Sequence, residues 1–129
     1  MIDFDEVASI AAQLPEVTEG DRGGTRTWFV AEKPFCWERP FRKADIARFG
    51  DQTPPSGAIL AVRVASLDEK DALLSIDRPG FFTIPHFNGY PGLLIQLETV
   101  EQAALAETIR AAWLAVAPRR LAKDFIDRE

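Results

Sequence analysis

The sequence is poor in the side chains that form disulfides and metal sites. Its 129 residues include one cysteine, Cys36, and one histidine, His86. One cysteine cannot form an internal disulfide, and a single cysteine with a single histidine cannot supply a zinc cage. We therefore predict a metal-free, cytoplasmic protein. Cys36 stands between Phe35 and Trp37, and we interpret it as a small buried hydrophobe.

Long apolar runs and known catalytic motifs are also missing. No stretch approaches the roughly 20 apolar residues of a membrane span, and the first ten residues lack the basic and apolar regions of a signal peptide. Glycine-rich nucleotide loops, the zinc-protease helix motif and the serine nucleophile elbow are absent too. The sequence therefore predicts no membrane association, no cofactor and no catalytic residues, and we do not expect an enzyme.

What the chain does have is the composition of an ordinary globular domain. Hydrophobic residues make up 47% and charged residues 27% of the sequence, which is typical of folded proteins that need no disulfide or metal to be stable. A chain of this length can bury about two-thirds of its unfolded surface. We therefore predict that residues 1–129 form a single domain.

Three helices are predicted by one spacing at their starts. In a capping box, a first side chain accepts a free backbone N–H, and the residue three positions later reaches back to the cap. This spacing occurs in the pairs Asp3 with Glu6, Ser66 with Glu69, and Thr99 with Gln102. Two shorter helices are predicted over residues 43–49 and after Pro118.

Strand patterns lie between these helices. Runs rich in β-branched and aromatic residues cover 25–30, 35–38, 58–64, 81–87 and 90–97. The predicted order is α-β-β-β-α-β-β-α, followed by a helical tail. We predict a two-layer α+β domain with a mostly antiparallel, five-stranded sheet and with helices packed on one face. The glycine-rich segment 20–26 contains a G-x-x-G spacing, which we interpret as a turn rather than a phosphate-binding loop.

The most unusual segment is "FFTIPHFNGYPG", residues 81–92. Asn-Gly between aromatic residues favours a two-residue hairpin turn, which would place His86 on the core face with Phe82 and Ile84. Pro85 would then occupy a hydrogen-bonded pair although it lacks the N–H donor. Either the ladder is interrupted at Pro85, or residues 85–91 form a wider, stiff loop.

His86 has three interpretations. It could be a catalytic or metal-binding residue, a histidine at the rim of the core, or part of a binding surface. The first lacks a second histidine and an identifiable nucleophile. The third would combine His86 with Tyr90 and with Trp37, since one of the tryptophans in the first hairpin could be exposed for stacking.

Charge is distributed unevenly along a chain whose net charge is −5. Residues 1–21 contain six acidic residues and no base, whereas residues 22–48 contain seven bases and three acids. The two segments could neutralise each other in space, or the bases could form a patch. The long connection 39–57 carries the bases Arg39, Arg42, Lys43 and Arg48. A second basic group in the tail, which is either a solvated helix face or a grip for phosphates, comprises Arg119, Arg120 and Lys123.

Several segments together resemble one known family. "FFTIPHFNGYPGLLIQL", "AVRVASLDEKDALL" and "AWLAVAPRRLAKDF", with "LPEVTEG" and "FCWERP", look like the MmcQ/YjbR family, and the resemblance covers nearly the whole chain. It implies a small two-layer α/β domain with a CyaY-like or secretion-chaperone-like fold. It brings no catalytic residues, and it implies the DNA-binding label that the family carries.

The resemblance and the charge map together give our first functional expectation, DNA binding through the basic loop and tail. The residues concerned are Arg39, Arg42, Lys43, Arg48, Arg119, Arg120 and Lys123. The alternative is a non-catalytic module that binds another protein or a small ligand through the aromatic surface of His86, Tyr90 and Trp37. The two differ in salt response, because phosphate contacts weaken steeply with ionic strength.

Overall fold

The computed structural model of the protein describes residues 2–128, which form an α+β fold with five α-helices and six strands. The helices are α1 (Phe4–Ala12), α2 (Lys43–Arg48), α3 (Leu67–Ser75), α4 (Gln102–Val116) and α5 (Arg119–Asp127). The strands are β1 (Val17–Arg22), β2 (Thr25–Val30), β3 (Lys33–Glu38), β4 (Ile59–Arg63), β5 (Phe81–Phe82) and β6 (Gly92–Gln96). The predicted class and the antiparallel sheet are confirmed.

The sheet has one strand more than predicted. Its order is β1-β2-β3-β4-β6-β5, and each neighbouring pair is antiparallel. The extra strand is β1, which has mostly polar residues and therefore shows no apolar alternation. Within segment 20–26, Gly23 and Gly24 form the turn between β1 and β2, and both have positive φ. Asp21 Oδ1 accepts a 2.8 Å hydrogen bond from the Gly24 N–H.

Helices α1 and α4 cover one face of the sheet and enclose the larger core. Trp28, Leu60 and Ile95 of the sheet pack there with residues of α4. Trp113 of α4 is fully buried, and its Nε1 donates a 3.1 Å hydrogen bond to the Pro15 carbonyl. Helix α5 joins the same layer through Leu121.

The opposite face carries a second, smaller apolar cluster. Ile59, Ala61 and Leu94 are buried with Ile84 and Phe87, and partly buried aromatic residues pack against them, namely Trp37, Phe41, Phe49 and Phe82. The prediction of helices on one face is therefore wrong in detail, because α2 and the 3-10 turn Pro85–Phe87 lie on the other face. Buried residues on both faces explain why β4 and the middle of β6 read as continuous apolar runs.

Two of the three predicted helix caps are confirmed. Asp3 and Ser66 accept hydrogen bonds from the N–H groups of Glu6 and Glu69, at 3.0 and 3.1 Å. The third is wrong, because α4 begins at Gln102 after Glu101, without a side-chain cap. The hydroxyl of Thr99 bonds to Gln96 instead. No helix of the 2–128 region is long and apolar enough to cross a membrane.

The two-residue hairpin turn at Asn-Gly is also wrong, and the wider loop that Pro85 suggested is present. Strand β5 ends at Phe82, and Pro85–Phe87 form one turn of 3-10 helix. The chain then makes a turn in which the Tyr90 N–H donates to the Phe87 carbonyl at 3.0 Å. Gly89 has φ +74°, as the third position of a type II turn requires.

Candidate functional site

A cleft of about 820 Å³ opens on the sheet face that bears the smaller apolar cluster. We call it the sheet-face cleft. Thr25, Thr27 and Trp37 come from strands β2 and β3, Arg42 precedes α2, and His86 and Tyr90 come from the 85–91 loop. Because β2 and β3 lack a covering helix on this face, the long connection and the loop enclose a space instead of a packed core.

Arg39 and Asp45 form a buried ion pair beside this cleft. Arg39 Nη1 donates to Asp45 Oδ2 at 2.9 Å, and the two side chains are only 6% and 2% exposed. The same carboxylate oxygen accepts the backbone N–H of Arg42 at 2.9 Å. Asp45 therefore fixes both the start of α2 and the arginine that lines the cleft.

The ion pair keeps Asp45 ionised despite its burial. Burial alone would raise the pKa of this carboxyl. Two hydrogen bonds oppose this effect of burial, one from the Arg42 N–H and one from the Arg39 side chain. Together with the charges of Arg39 and His86, they lower the pKa of Asp45 below its ordinary value. The carboxylate therefore carries its charge at neutral pH.

One nitrogen of Arg39 is left without a hydrogen bond. Nη1 also donates to the Pro40 carbonyl at 2.6 Å, whereas Nη2 is buried and has no partner within residues 2–128. The guanidinium carbon lies 5.8 Å from the centre of the Phe87 ring. A buried, unsatisfied donor is unfavourable by about 1–3 kcal/mol, so a group that could satisfy Nη2 would be stabilised at this position.

Lys70 of α3 holds the 85–91 loop in place. Lys70 is buried, and its Nζ donates hydrogen bonds to the Phe87 and Tyr90 carbonyls at 2.6 and 2.9 Å. Burial lowers the pKa of this amine, and the charge of Asp71 opposes that shift. Lys70 thus satisfies two loop carbonyls and positions the segment that carries His86 and Tyr90.

The aromatic side chains predicted as a binding surface do lie together at the cleft. Trp37 is partly buried, whereas Tyr90 and His86 are exposed. The Tyr90 ring meets Phe87 edge-on at 5.5 Å between centroids, and the Arg63 guanidinium lies 5.5 Å from the Tyr90 ring centre. The core-face position of His86, which followed from the two-residue turn, is wrong.

The residues predicted to contact DNA do not form one surface. Arg42, Lys43 and Arg48 are exposed at α2, but Arg39 is buried and paired with Asp45. The tail residues lie on α5, which packs with the larger core on the other side of the sheet, and these residues are Arg119, Arg120 and Lys123. The basic loop and the basic tail are therefore separated by the sheet.

The acidic segment 1–21 and the basic segment 22–48 neutralise each other through ion pairs at one point. Arg26 forms ion pairs with Glu19 at 3.0 Å and with Asp5 at 2.9 Å. Glu19 also accepts a hydrogen bond from Trp28 Nε1 at 3.0 Å. Within residues 2–128, Arg42 has no such ion pair, so its charge stays available at the cleft.

Cys36 supplies no reactive thiol to this site, and the described residues supply no metal-binding group. Cys36 is fully buried, as predicted, and burial raises the pKa of its thiol, which keeps the sulfur protonated and unreactive. The part of the chain from residue 2 to residue 128 contains no group of three or more His, Cys, Asp or Glu side chains placed to hold a metal ion.

His86, Tyr90 and Trp37 line the same cleft, whereas the sequence patterns did not indicate the parts that Asp45 and Lys70 play beside it. Both act through tertiary contacts. Asp45 pairs with an arginine six residues earlier, and Lys70 reaches carbonyls 17 and 20 residues away. The local sequence around Lys70 predicts only a helix with an acidic first turn.

Comparisons with known proteins identify relatives in mycobacteria. No known family profile matches the chain, and no solved structure matches it. It is 42% identical over 130 residues to "Uncharacterized protein Rv2570" and "Uncharacterized protein MT2646" of Mycobacterium tuberculosis, and to "Uncharacterized protein Mb2600" of Mycobacterium bovis. Each match covers 98% of this chain and 97% of the relative. The chain therefore belongs to the family that contains these mycobacterial proteins.

Proposed function

We propose that this protein is a non-catalytic module that binds a small organic ligand in the sheet-face cleft. The observation that carries the proposal is that Trp37 of β3 and His86 and Tyr90 of the 85–91 loop line one cleft of about 820 Å³. This volume lies within the range of small-molecule sites, roughly 300–1,000 Å³. Aromatic walls with a few polar groups are typical of such sites.

The way the cleft is held supports binding without prior rearrangement. Buried polar contacts fix two of its sides, since Asp45 anchors the segment that begins α2 and Lys70 anchors the 85–91 loop. A site whose walls are fixed in advance loses less conformational entropy when a ligand binds. The exposed rings of Tyr90 and His86 offer flat surfaces on which a planar ligand can stack.

Trp37 gives a direct test of this function. Trp28 and Trp113 are 1% and 0% exposed and lie in the larger core, so Trp37 is the tryptophan that a ligand in the cleft would contact. We expect intrinsic fluorescence to change when planar aromatic compounds are titrated in, and Trp37→Phe to remove most of that change. The panel should pair naphthoate with naphthamide and adenosine monophosphate with adenosine.

Two results would contradict the ligand-binding proposal. The first is that no compound of the panel changes fluorescence or melting temperature up to millimolar concentration. The second is that Trp37→Phe responds as strongly as the parent protein, because the ligand would then bind away from the cleft. A Trp113→Phe variant is not a suitable control, since Trp113 is buried in the larger core.

DNA binding is the second candidate, and it rests on α2. Arg42, Lys43 and Arg48 are exposed there, and the resemblance to the MmcQ/YjbR family, to which we propose the chain belongs, points the same way. The net charge of −5 opposes it, because phosphate contacts dominate affinity for nucleic acid. Any DNA must therefore dock on α2 or on the tail, which are separated by the sheet.

The double variant Arg42→Glu with Lys43→Glu tests DNA binding at α2. We expect it to abolish binding of random duplex DNA measured by fluorescence anisotropy at low salt, and we expect parental binding to fall steeply between roughly 50 and 200 mM salt. Lys43→Gln serves as a control that separates DNA binding from ligand binding. Because Lys43 does not line the cleft, this variant should weaken only DNA binding. Unchanged DNA binding by the double variant would exclude α2 as the DNA site.

A further inference from the structure

We propose that the ligand of the sheet-face cleft is an anion, and that its carboxylate or phosphate group binds beside Arg39 and Arg42. This inference rests on the proposed function and names the chemical class that the cleft would take. It depends on two independent observations, the charge that lines the cleft and the unsatisfied nitrogen of Arg39.

The charge of the cleft is opposite in sign to that of the whole protein. The chain has a net charge of −5, yet the cleft is lined by Arg22 and Arg42 against one carboxylate, that of Glu38, while the charge of Arg39 is balanced by Asp45. Glu38 Oε1 is already occupied, since it accepts the backbone N–H of Arg26 at 3.2 Å. An acidic protein that gathers arginines around a concave site produces a local positive potential, which attracts small anions.

Arg39 supplies the second observation. Its side chain is only 6% exposed, it lines the cleft, and Nη2 has no hydrogen-bond partner among the described residues. Asp45 balances the charge of Arg39 through Nη1, and the N–H groups of Nη2 are left as donors without an acceptor. Carboxylate and phosphate oxygens are the acceptors that match a guanidinium best.

Arg42 completes the anion site from the rim. Its side chain is exposed, and its backbone N–H is bound by Asp45, so its position along the chain is fixed while its guanidinium stays in solvent. His86 also lines the cleft and carries an imidazole N–H donor in either protonation state. The planar body of the ligand would then lie against Trp37 and Tyr90, and its acidic group would point to the arginines.

The test compares charged and neutral ligands of the same shape. Naphthoate and naphthamide differ only in charge at the relevant group, and adenosine monophosphate and adenosine form the corresponding phosphate pair. We expect the anion of at least one pair to bind about tenfold more tightly than its neutral partner, as one charge-assisted hydrogen bond implies. Which pair shows the preference distinguishes a carboxylate ligand from a phosphate ligand.

Arg42→Gln and Arg48→Gln are the matched variants. Both arginines are exposed on the same short segment, but only Arg42 lines the cleft. Arg42→Gln is expected to lose the tenfold preference for the anion and to keep its affinity for the neutral compound, whereas Arg48→Gln is expected to keep both. Arg39 is left unchanged, because its loss would leave Asp45 buried without its partner and destabilise the fold.

The outcomes separate this inference from the proposed function. Equal affinity of the parent protein for anion and neutral partner in both pairs would overturn the anion site and leave ligand binding in the cleft intact. Equal loss of the preference in both variants would also overturn it, since the effect would then be a general charge effect. Absence of binding by all four compounds would overturn the proposed function and the anion site together.

Discussion

Asp45→Asn is expected to lower the free energy of unfolding by about 3–5 kcal/mol, the range measured when one member of a buried ion pair is removed. Asparagine has nearly the same shape, so the loss comes from charge. Arg39 would remain buried at 6% exposure without its counter-ion. Urea denaturation at neutral pH measures the change directly. Asp51→Asn, which alters an exposed aspartate in the same connection, is the matched control and should change stability by less than about 0.5 kcal/mol.

The loss of stability caused by Asp45→Asn should become smaller at acidic pH. The pKa of Asp45 is lower in the folded protein than its ordinary value of 3.8. A carboxyl group of this kind contributes stability that is fully present above the unfolded pKa and is lost as the pH falls through the folded pKa. The stability difference between the parent and Asp45→Asn should therefore be constant near neutral pH and shrink below about pH 4. A difference that is equal at pH 7 and at pH 2.5, or absent at pH 7, would show that the ion pair does not stabilise the fold.

Lys70→Met is expected to destabilise the protein by about 1.5–3 kcal/mol and to loosen the 85–91 loop, since hydrogen bonds to charged groups contribute in this range. Methionine can fill much of the same space, but it cannot donate to the Phe87 and Tyr90 carbonyls. Amide hydrogen exchange should report the loosening. The N–H of Asn88 and the N–H of Tyr90, which bond within the loop, should exchange at least about tenfold faster, because their protection depends on the local opening free energy.

A second readout separates loop positioning from general destabilisation. Lys123→Met changes an exposed lysine on α5 and should leave both stability and loop exchange unchanged. Lys70→Met should also weaken ligand binding in the sheet-face cleft, because Tyr90 and His86 are carried by the loop. Faster exchange throughout the sheet, with no additional effect at Asn88 and Tyr90, would contradict a specific role of Lys70 in holding the loop.

Sequence patterns predicted the parts of the fold that depend on local interactions. Asp3 and Ser66 cap helices because a side chain three residues from an N–H needs no other part of the chain. Strand β1 was missed, since an edge strand with exposed polar residues has no apolar alternation to detect. The cap at Thr99 failed because its hydroxyl bonds to Gln96, three residues before it, and not to the start of α4; both contacts have the same short range, so spacing alone does not distinguish them.

The sequence indicated three residues that line the cleft, but it did not indicate their arrangement or the buried polar residues beside them. The aromatic residues and the histidine were recognised by their type and their place in an unusual loop. Their shared cleft depends on the pairing of β2 with β3, which places Thr27 beside Trp37, and on α2 packing across the same face. In the sequence, Arg39 and Arg42 are two equivalent positive charges. Only the structure shows that Arg39 is buried and paired with Asp45, whereas Arg42 is exposed.

The indole N–H signals of the tryptophans give the most direct measurement of the central claim, that a small ligand binds in the sheet-face cleft. Trp28 and Trp113 donate their indole N–H groups to Glu19 and to the Pro15 carbonyl within the fold, whereas Trp37 lines the cleft. In nitrogen–proton correlation spectra recorded during titrations with the four compounds of the panel, we expect at least one compound to shift and saturate the Trp37 signal while the other two signals stay in place. Shifts of Trp28 and Trp113 with an unmoved Trp37, or no shift of any indole signal with any of the four compounds at millimolar concentration, would contradict it.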